Sequence, residues 1–429
     1  MIKLNSKFVL TKQINDAKIK TLYQTKVNAI LKTIKTKKAL GLNFTGWIDY
    51  PNKVTKTQLQ KIVSATNKIK NKKIKYLVVI GIGGSYLGLK ACLDMTNAYK
   101  NSNLSVIFIH NIHQNYLLEM LRKVKNDKYG IVVISKSGRT LEPALAFDMF
   151  YQNLVQKFGK KTADELIIAV TSQHAGDLRE TAIKNKWQTF FIPDNIGGRY
   201  SALTPVGLIT MAFCGLDLNK LFSGAKDATK KLKNASLLQN DAYRYACYRH
   251  YFFKTKKMDI ENIVVYDPYL QSITKTMQQL FAESEGKQGQ GLYPSSCLFT
   301  TDLHSLGQYL QQGKKCFFET SLFVKKTHAD CQLKIKDPVI KYLNKFKLSK
   351  VNEIAFLSTI KAHAYDGKIN NLIIEIDKQD AYHFGYLYTW LMYTAMMSAY
   401  LLKVNPFDQP GVEAYKKRMN DVLKNKNRK

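Results

Sequence analysis

Two segments of this chain share a plan that few folds accommodate. Val78-Val79-Ile80 runs into Gly81-Ile82-Gly83-Gly84-Ser85, and Ile131-Val132-Val133-Ile134 runs into Ser135-Lys136-Ser137-Gly138-Arg139-Thr140, with a helical pattern after each. Continuous β-branched runs read as strands buried on both faces, the mark of a parallel sheet covered by helices. In a doubly wound sheet both loops then lie at the carboxyl edge of the strands. Backbone N–H groups and helix N-termini there favour an anion, and the hydroxyls of these loops add donors. A phosphorylated ligand is the first inference. The first loop is not G-x-G-x-x-G, no acidic residue follows at the spacing of a ribose ligand, and there is no G-x-x-x-x-G-K-[ST], so neither a dinucleotide nor a P-loop nucleotide is indicated. The alternative for either loop alone is a tight glycine turn serving helix packing.

The alternation continues around these loops. Strands are predicted at 76–80, 105–109, 131–135, 166–171 and 189–192, separated by helical stretches, and residues 8–40 read as a lysine-rich helix. A second, less regular unit has helices over about 218–256, 349–364 and 380–402, and strands at 262–266, 316–324 and 372–376. A terminal helix is expected from Gly411 to about Lys424 after Pro406 and Pro410. The predicted organisation is a helical extension (1–50), a first α/β domain (51–217), a second of similar size (218–404) and a C-terminal helical segment (405–429).

The formal net charge of +34 in 429 residues raises nucleic acid as a partner. Yet the lysines are dispersed, with no basic arm and no reader motif, and stretches such as 68–75 and 424–429 read as solvated surface. Attraction of small anions is the expected consequence. The six cysteines form no C-x-x-C pair, which predicts reduced thiols in a cytoplasmic protein. The longest apolar stretch, 387–402, is short for a membrane span and reads as a buried helix.

Four further residues could carry chemistry. Arg199, in Gly197-Gly198-Arg199-Tyr200-Ser201 just after the fifth strand, is either an oxyanion partner or a structural arginine paired with a carboxylate. Glu283 and Glu285 project about 200° apart on a helix, so they form no close carboxylate pair, and one can face a pocket while the other faces water. Glu283 with Lys287 also has the spacing of a surface ion pair. His304 is a proton carrier or a scaffold histidine. Lys416 borders the apolar stripe of the terminal helix and either snorkels or reaches inward. His110 and His113 lack a third ligand and read as structural.

Taken in order, Gly81-Ile82-Gly83-Gly84-Ser85, Ser135-Lys136-Ser137-Gly138-Arg139-Thr140, Gly197-Gly198-Arg199-Tyr200-Ser201, Glu283-Ser284-Glu285-Gly286-Lys287, Thr301-Asp302-Leu303-His304-Ser305 and Asn405-Pro406-Phe407-Asp408-Gln409-Pro410-Gly411-Val412-Glu413-Ala414-Tyr415-Lys416 resemble the glucose-6-phosphate isomerases of the shorter form. Gly46-Trp47-Ile48-Asp49 extends the likeness toward the N-terminus. The resemblance implies two sugar-isomerase (SIS-type) doubly wound domains, a site between them, a homodimer, and reversible aldose–ketose isomerisation of glucose 6-phosphate without cofactor or metal. It implies that Gly84, Ser85, Ser135, Lys136, Ser137 and Thr140 hold the phosphate, and that Gly198 and Gln409 contact the substrate. It further implies that His304 and Lys416 open the ring, Glu283 moves the proton through a cis-enediol, Arg199 stabilises the developing oxyanion, and Glu142 orients a neighbouring group. His304 is then expected from the partner chain. Arg139 and Leu141 depart from the family pattern: Arg139 either adds a phosphate contact or points to solvent.

Three competing readings differ in what they need. A related isomerase that also accepts mannose 6-phosphate would share the same proton-transfer residues. A phosphosugar-sensing module would need no base, which Glu283, His304 and Lys416 together argue against. A nucleic-acid-binding protein would rest on the charge alone.

Overall fold

The computed structural model describes residues 1–10, 14–101 and 104–425. Residues 426–429 of the lysine-rich terminus lie outside these. Five strands form the first sheet: β2 (Tyr76–Ile80), β3 (Ser105–Ile109), β4 (Tyr129–Ile134), β5 (Ile167–Ser172) and β6 (Gln188–Ile192). Their order is β3-β2-β4-β5-β6, parallel throughout. Every residue of β2, β4 and β5 is buried, as continuous apolar runs require when helices cover both faces. Strand order reverses between β2 and β4, so the loops that follow them flank one crevice.

The second sheet contains β7 (Ile260–Val265), β8 (Tyr293–Leu298), β9 (Phe317–Lys326) and β10 (Asn371–Lys378) in parallel, and β1 (Ile2–Phe8) pairs antiparallel with β10 to complete the order β1-β10-β9-β7-β8. The sequence reading foresaw neither β1 nor β8. Residues 1–50 are therefore not wholly helical: the chain starts as an edge strand of the second sheet, with Ile2, Leu4 and Phe8 buried, and the helix occupies Asp16–Lys35. β8 carries Pro294 and two serines, a composition that reads as loop; as the opposite edge strand it tolerates a proline without an N–H.

The Ala381–Leu401 helix has all but Tyr382 of its residues buried and packs against the helices Leu218–Leu232, Asp241–Lys254 and Gln271–Glu285. The 387–402 run thus is an internal helix, and among the described residues no helix is long and apolar enough to cross a membrane. Gln271–Glu285 returns from the carboxyl end of β7 and also packs on Leu87–Thr96, the helix that follows the first glycine loop. This contact brings the end of one domain's helix to the carboxyl edge of the other domain's sheet.

Candidate active site

Glycine is obligatory where the first anion loop meets the arginine loop. A Cβ on Gly84 would lie 2.2 Å from the carbonyl of Gly198, so the first anion loop and the arginine loop touch backbone to backbone. In the second anion loop Gly138 has φ +78° and packs where a Cβ would lie 2.3 Å from the amide nitrogen of Leu178. Ser135 Oγ accepts from Gly138 N at 3.0 Å, and Ser137 Oγ accepts from Arg139 N at 3.1 Å, which fixes the turn. Lys136 donates to the Asp194 carbonyl at 3.1 Å, away from the first loop.

Arg199 lies in the 3₁₀ turn Gly198–Tyr200 and is only 2% exposed. Its Nε donates to Ser284 Oγ at 3.0 Å, Nη1 to Glu283 Oε2 at 3.3 Å, and Nη2 to the carbonyls of Pro406 and Asp408. Of the two expectations for this residue, pairing with a carboxylate is observed, and that carboxylate is Glu283. The turn is supported by Tyr388, whose hydroxyl donates to the Arg199 carbonyl, and by Tyr200, which stacks on Trp47 at 5.2 Å. The 46–49 segment thus acts on the site through packing.

Glu283 is held on three sides. Besides Arg199, Gln279 donates to Oε1 at 3.1 Å and Gln409 donates to Oε2 at 2.8 Å. It does not pair with Lys287. Glu285 does not face water, as the sequence allowed: it is buried, bonded to Arg249, which also binds Glu261 at 2.7 Å and Ser398 at 2.8 Å. Helix rotation places one carboxylate at the cleft and the other in the core between helices, because this helix is covered on its far side by Asp241–Lys254 and Ala381–Leu401. Burial pushes the Glu285 carboxyl up while Arg249 pulls it down; both carboxylates hold the Arg249 guanidinium above its ordinary value against its own desolvation.

These groups line a cleft of ≈ 470 Å³. Its walls include Gly84, Ser85, Ser137, Arg139, Thr140 and Glu142 on the first domain, Gly198 and Arg199 at the junction, and Glu283, Gln409 and Lys416 opposite. Ser135 and Lys136 are not among the lining residues. Lys416 Nζ bonds Glu413 at 2.9 Å at the cleft mouth. Arg139 is 76% exposed in its side chain and forms a two-pronged pair with Asp177 at 3.1–3.2 Å, so it stands on the rim, tied to an acid. His304, exposed near the start of Leu303–Gln312, lies outside this cleft. His110 stacks on Tyr86 at 4.2 Å, the structural role expected of it.

The sequence reading missed Gln279 and Lys287 as parts of the site. Gln279 had a usable signal, since it precedes Glu283 by four residues and so shares its helix face.

The fold and the cleft define a protein of two parallel-sheet α/β domains whose loops and helix ends join hydroxyls, an arginine and a held carboxylate in one site. The sequence profile described as "Phosphoglucose isomerase" matches residues 32–429, and the chain belongs to that family. It is 41% identical over 425 residues to the glucose-6-phosphate isomerase of Mycoplasmopsis pulmonis, covering 97% of this chain and 98% of that one. It is 44% identical to the enzyme of Acholeplasma laidlawii, covering 93% and 95%. In structure it is similar to a hypothetical protein of Thermus thermophilus (TM-score 0.89, 26% identity, covering 99% and 100%). It shares its fold with a glucose-6-phosphate isomerase from Chlamydia trachomatis (TM-score 0.84, 19% identity, covering 100% and 89%). The chain is an isomerase that interconverts glucose 6-phosphate and fructose 6-phosphate.

Proposed function

We propose that Glu283 is the base of this isomerisation, and that the observation carrying the assignment is its grip by Arg199, Gln279 and Gln409 in a wall facing the two hydroxyl loops. Ser85, Ser137, Thr140 and the backbone at Gly84 hold the 6-phosphate at the far end. Ser135 and Lys136 brace that loop from behind, through Gly138 and Asp194. Anchoring one end of the open-chain sugar brings its reacting carbons to the base without a search over orientations.

Glu283 takes the proton from C2 and returns it to C1, or the reverse. As it becomes neutral, negative charge passes from its carboxylate to the enediol oxygen. Arg199 sits beside both, already desolvated and held in place by Ser284 and the 406–408 carbonyls, so it needs no reorganisation when the charge moves. Gln409 and Gln279 aim the carboxylate, and Gly198 leaves room for the sugar beside Arg199. Glu142, on the phosphate side of the cleft, orients the neighbouring groups. Lys416 at the mouth acts with an imidazole in opening the ring.

Among the described residues lining the cleft there is no histidine. The imidazole is His304 of a second copy: its helix carries exposed Leu306 (44%) and Tyr309 (52%), which suits an isologous contact in a homodimer. Four of the six cysteines are buried and all are free, in keeping with a cytoplasmic location. Mixing inactive His304→Ala and Glu283→Gln dimers and allowing subunits to exchange tests the arrangement. A cross-chain histidine restores one intact site per heterodimer and hence activity; silence after exchange verified by mass measurement rejects it.

A further inference from the structure

Lys287 closes the Glu283–Lys287 run, and the isomerisation assigns it no task. Its side chain starts one turn beyond Glu283, yet turns the other way. Nζ donates to the carbonyls of Ser284, at 3.2 Å, and Asn405, and pairs with Asp408 Oδ1 at 2.9 Å. The Lys287 side chain is 9% exposed, whereas that of Asp408 is 49% exposed. Burial draws the ammonium below the ordinary lysine value, and Asp408 opposes this. Burying a flexible ammonium costs desolvation and side-chain entropy, offset here only because its donors meet separate acceptors.

Those acceptors belong largely to one strap, residues 405–409. Arg199 grips the same strap from the other side, through the Pro406 and Asp408 carbonyls. An irregular segment is thereby pinned between a cation from the first domain's 3₁₀ turn and a cation from the end of the second domain's helix. Phe407 anchors it below, its ring 5.3 Å from that of Tyr200. The strap delivers Gln409 to Glu283 and, through the turn Pro410–Val412, leads into the helix bearing Lys416.

We infer that Lys287 is a positioning residue: it fixes the 405–409 strap against the helix that carries Glu283, and so aims the Glu283 carboxylate through the Gln409 amide and sets Lys416 over the cleft. This rests on the role of Glu283 as base. The phosphate loops belong to the first domain and make no bond to Lys287, so the device governs turnover and leaves substrate capture nearly unchanged.

The experiment is steady-state kinetics on fructose 6-phosphate for the unsubstituted enzyme and for Lys287→Met, Lys287→Arg, Asp408→Asn, Gln409→Ala and the Lys287→Met/Gln409→Ala pair. A base displaced by about 1 Å loses on the order of 10²-fold in rate, so Lys287→Met lowers kcat by about that factor while KM stays within about threefold. Asp408→Asn moves kcat in the same direction by a smaller factor, and Lys287→Arg recovers part of the loss. Because the effect runs through Gln409, the pair falls close to the worse single variant. A Lys287→Met kcat within about twofold of the parent, or single effects that multiply in the pair, overturns the inference. Should Lys287→Met not fold, Asp408→Asn decides, since its carboxylate is half exposed: an unchanged kcat overturns. Glu283→Gln is measured alongside. Full activity there defeats the base assignment, whereas a silent Lys287→Met beside a crippled Glu283→Gln defeats this inference alone.

Discussion

The side-chain amide of Gln409 donates to Glu283 Oε2 at 2.8 Å, joining the last segment of the chain to the end of a helix 126 residues earlier. Arg199, from the other domain, donates to the same oxygen at 3.3 Å. The Glu283 carboxylate, the proposed base, is therefore held by three separate stretches of chain, and none of them orients it alone.

Glu283 and Glu285 separate chemistry from stability. Glu283→Gln keeps the fold and lowers kcat by about 10² to 10⁴, the range for a positioned acid or base. Glu285→Gln leaves Arg249 paired with Glu261 alone and destabilises by about 1.5–3 kcal/mol, the worth of a hydrogen bond to a charged group. Thermal unfolding alongside kinetics distinguishes the two; the reverse pattern would exchange their roles.

The exposed rim pair Arg139–Asp177 is expected to tune phosphate affinity. Its guanidinium is exposed and already bound to an acid, so it offers the phosphate only part of its field. Arg139→Thr raises KM by about threefold with kcat unchanged, and Asp177→Asn lowers KM by a similar factor, as befits a solvent-screened charge. Both effects shrink at high salt. KM measured at low and at high ionic strength checks this.

Gly84→Ala forces the first anion loop and the Gly198–Tyr200 turn apart, since its Cβ would stand 2.2 Å from a backbone carbonyl. The phosphate anchor and Arg199 then lose their mutual spacing, and kcat/KM falls by about 10²-fold. Gly198→Ala meets no atom within 4 Å in the free enzyme, so its cost in stability is small. Comparing the thermal midpoints of the two variants tests the asymmetry.

His250 makes the fold acid-sensitive. Burial, aided by Lys26 and Lys254, pushes its pKa down to about 4, and its Nδ1 shares a hydrogen bond with Tyr23. The unfolded chain takes up this proton near pH 6.5 and the folded chain only near 4, so stability present above about pH 6.5 is lost as pH falls through that window. His250→Gln flattens the dependence of the thermal midpoint on pH between those values; an unchanged slope would assign it to other groups.

Much of the architecture was legible because parallel strands buried on both faces must be continuous apolar runs. β2 and β3 fall on the predicted residues, and β4 to β6 differ only at their ends. Edge strands escape this rule. β1 is polar at most positions between its buried Ile2, Leu4 and Phe8, and β8 contains Pro294, so neither carries the pattern of a core strand. In the site, Glu283, Arg199 and Gln409 are recognisable from their motifs, and Gln279 from its helical spacing to Glu283.

What the sequence by itself determined is local: glycines where loops need them, hydroxyls after strands, and a helix that turns Glu283 and Glu285 to different sides. What only the tertiary structure decided is which neighbour each charge meets. Glu285 faces Arg249 and not water because two helices cover that side of its own. Lys287 passes over Glu283 for the 405–409 strap because Arg199 already occupies the Glu283 side. Helical periodicity sets the direction a side chain leaves its backbone, but a charge is stabilised by whatever dipoles and counter-charges packing brings within a few ångströms, and here those come from residues 36 to 126 positions away.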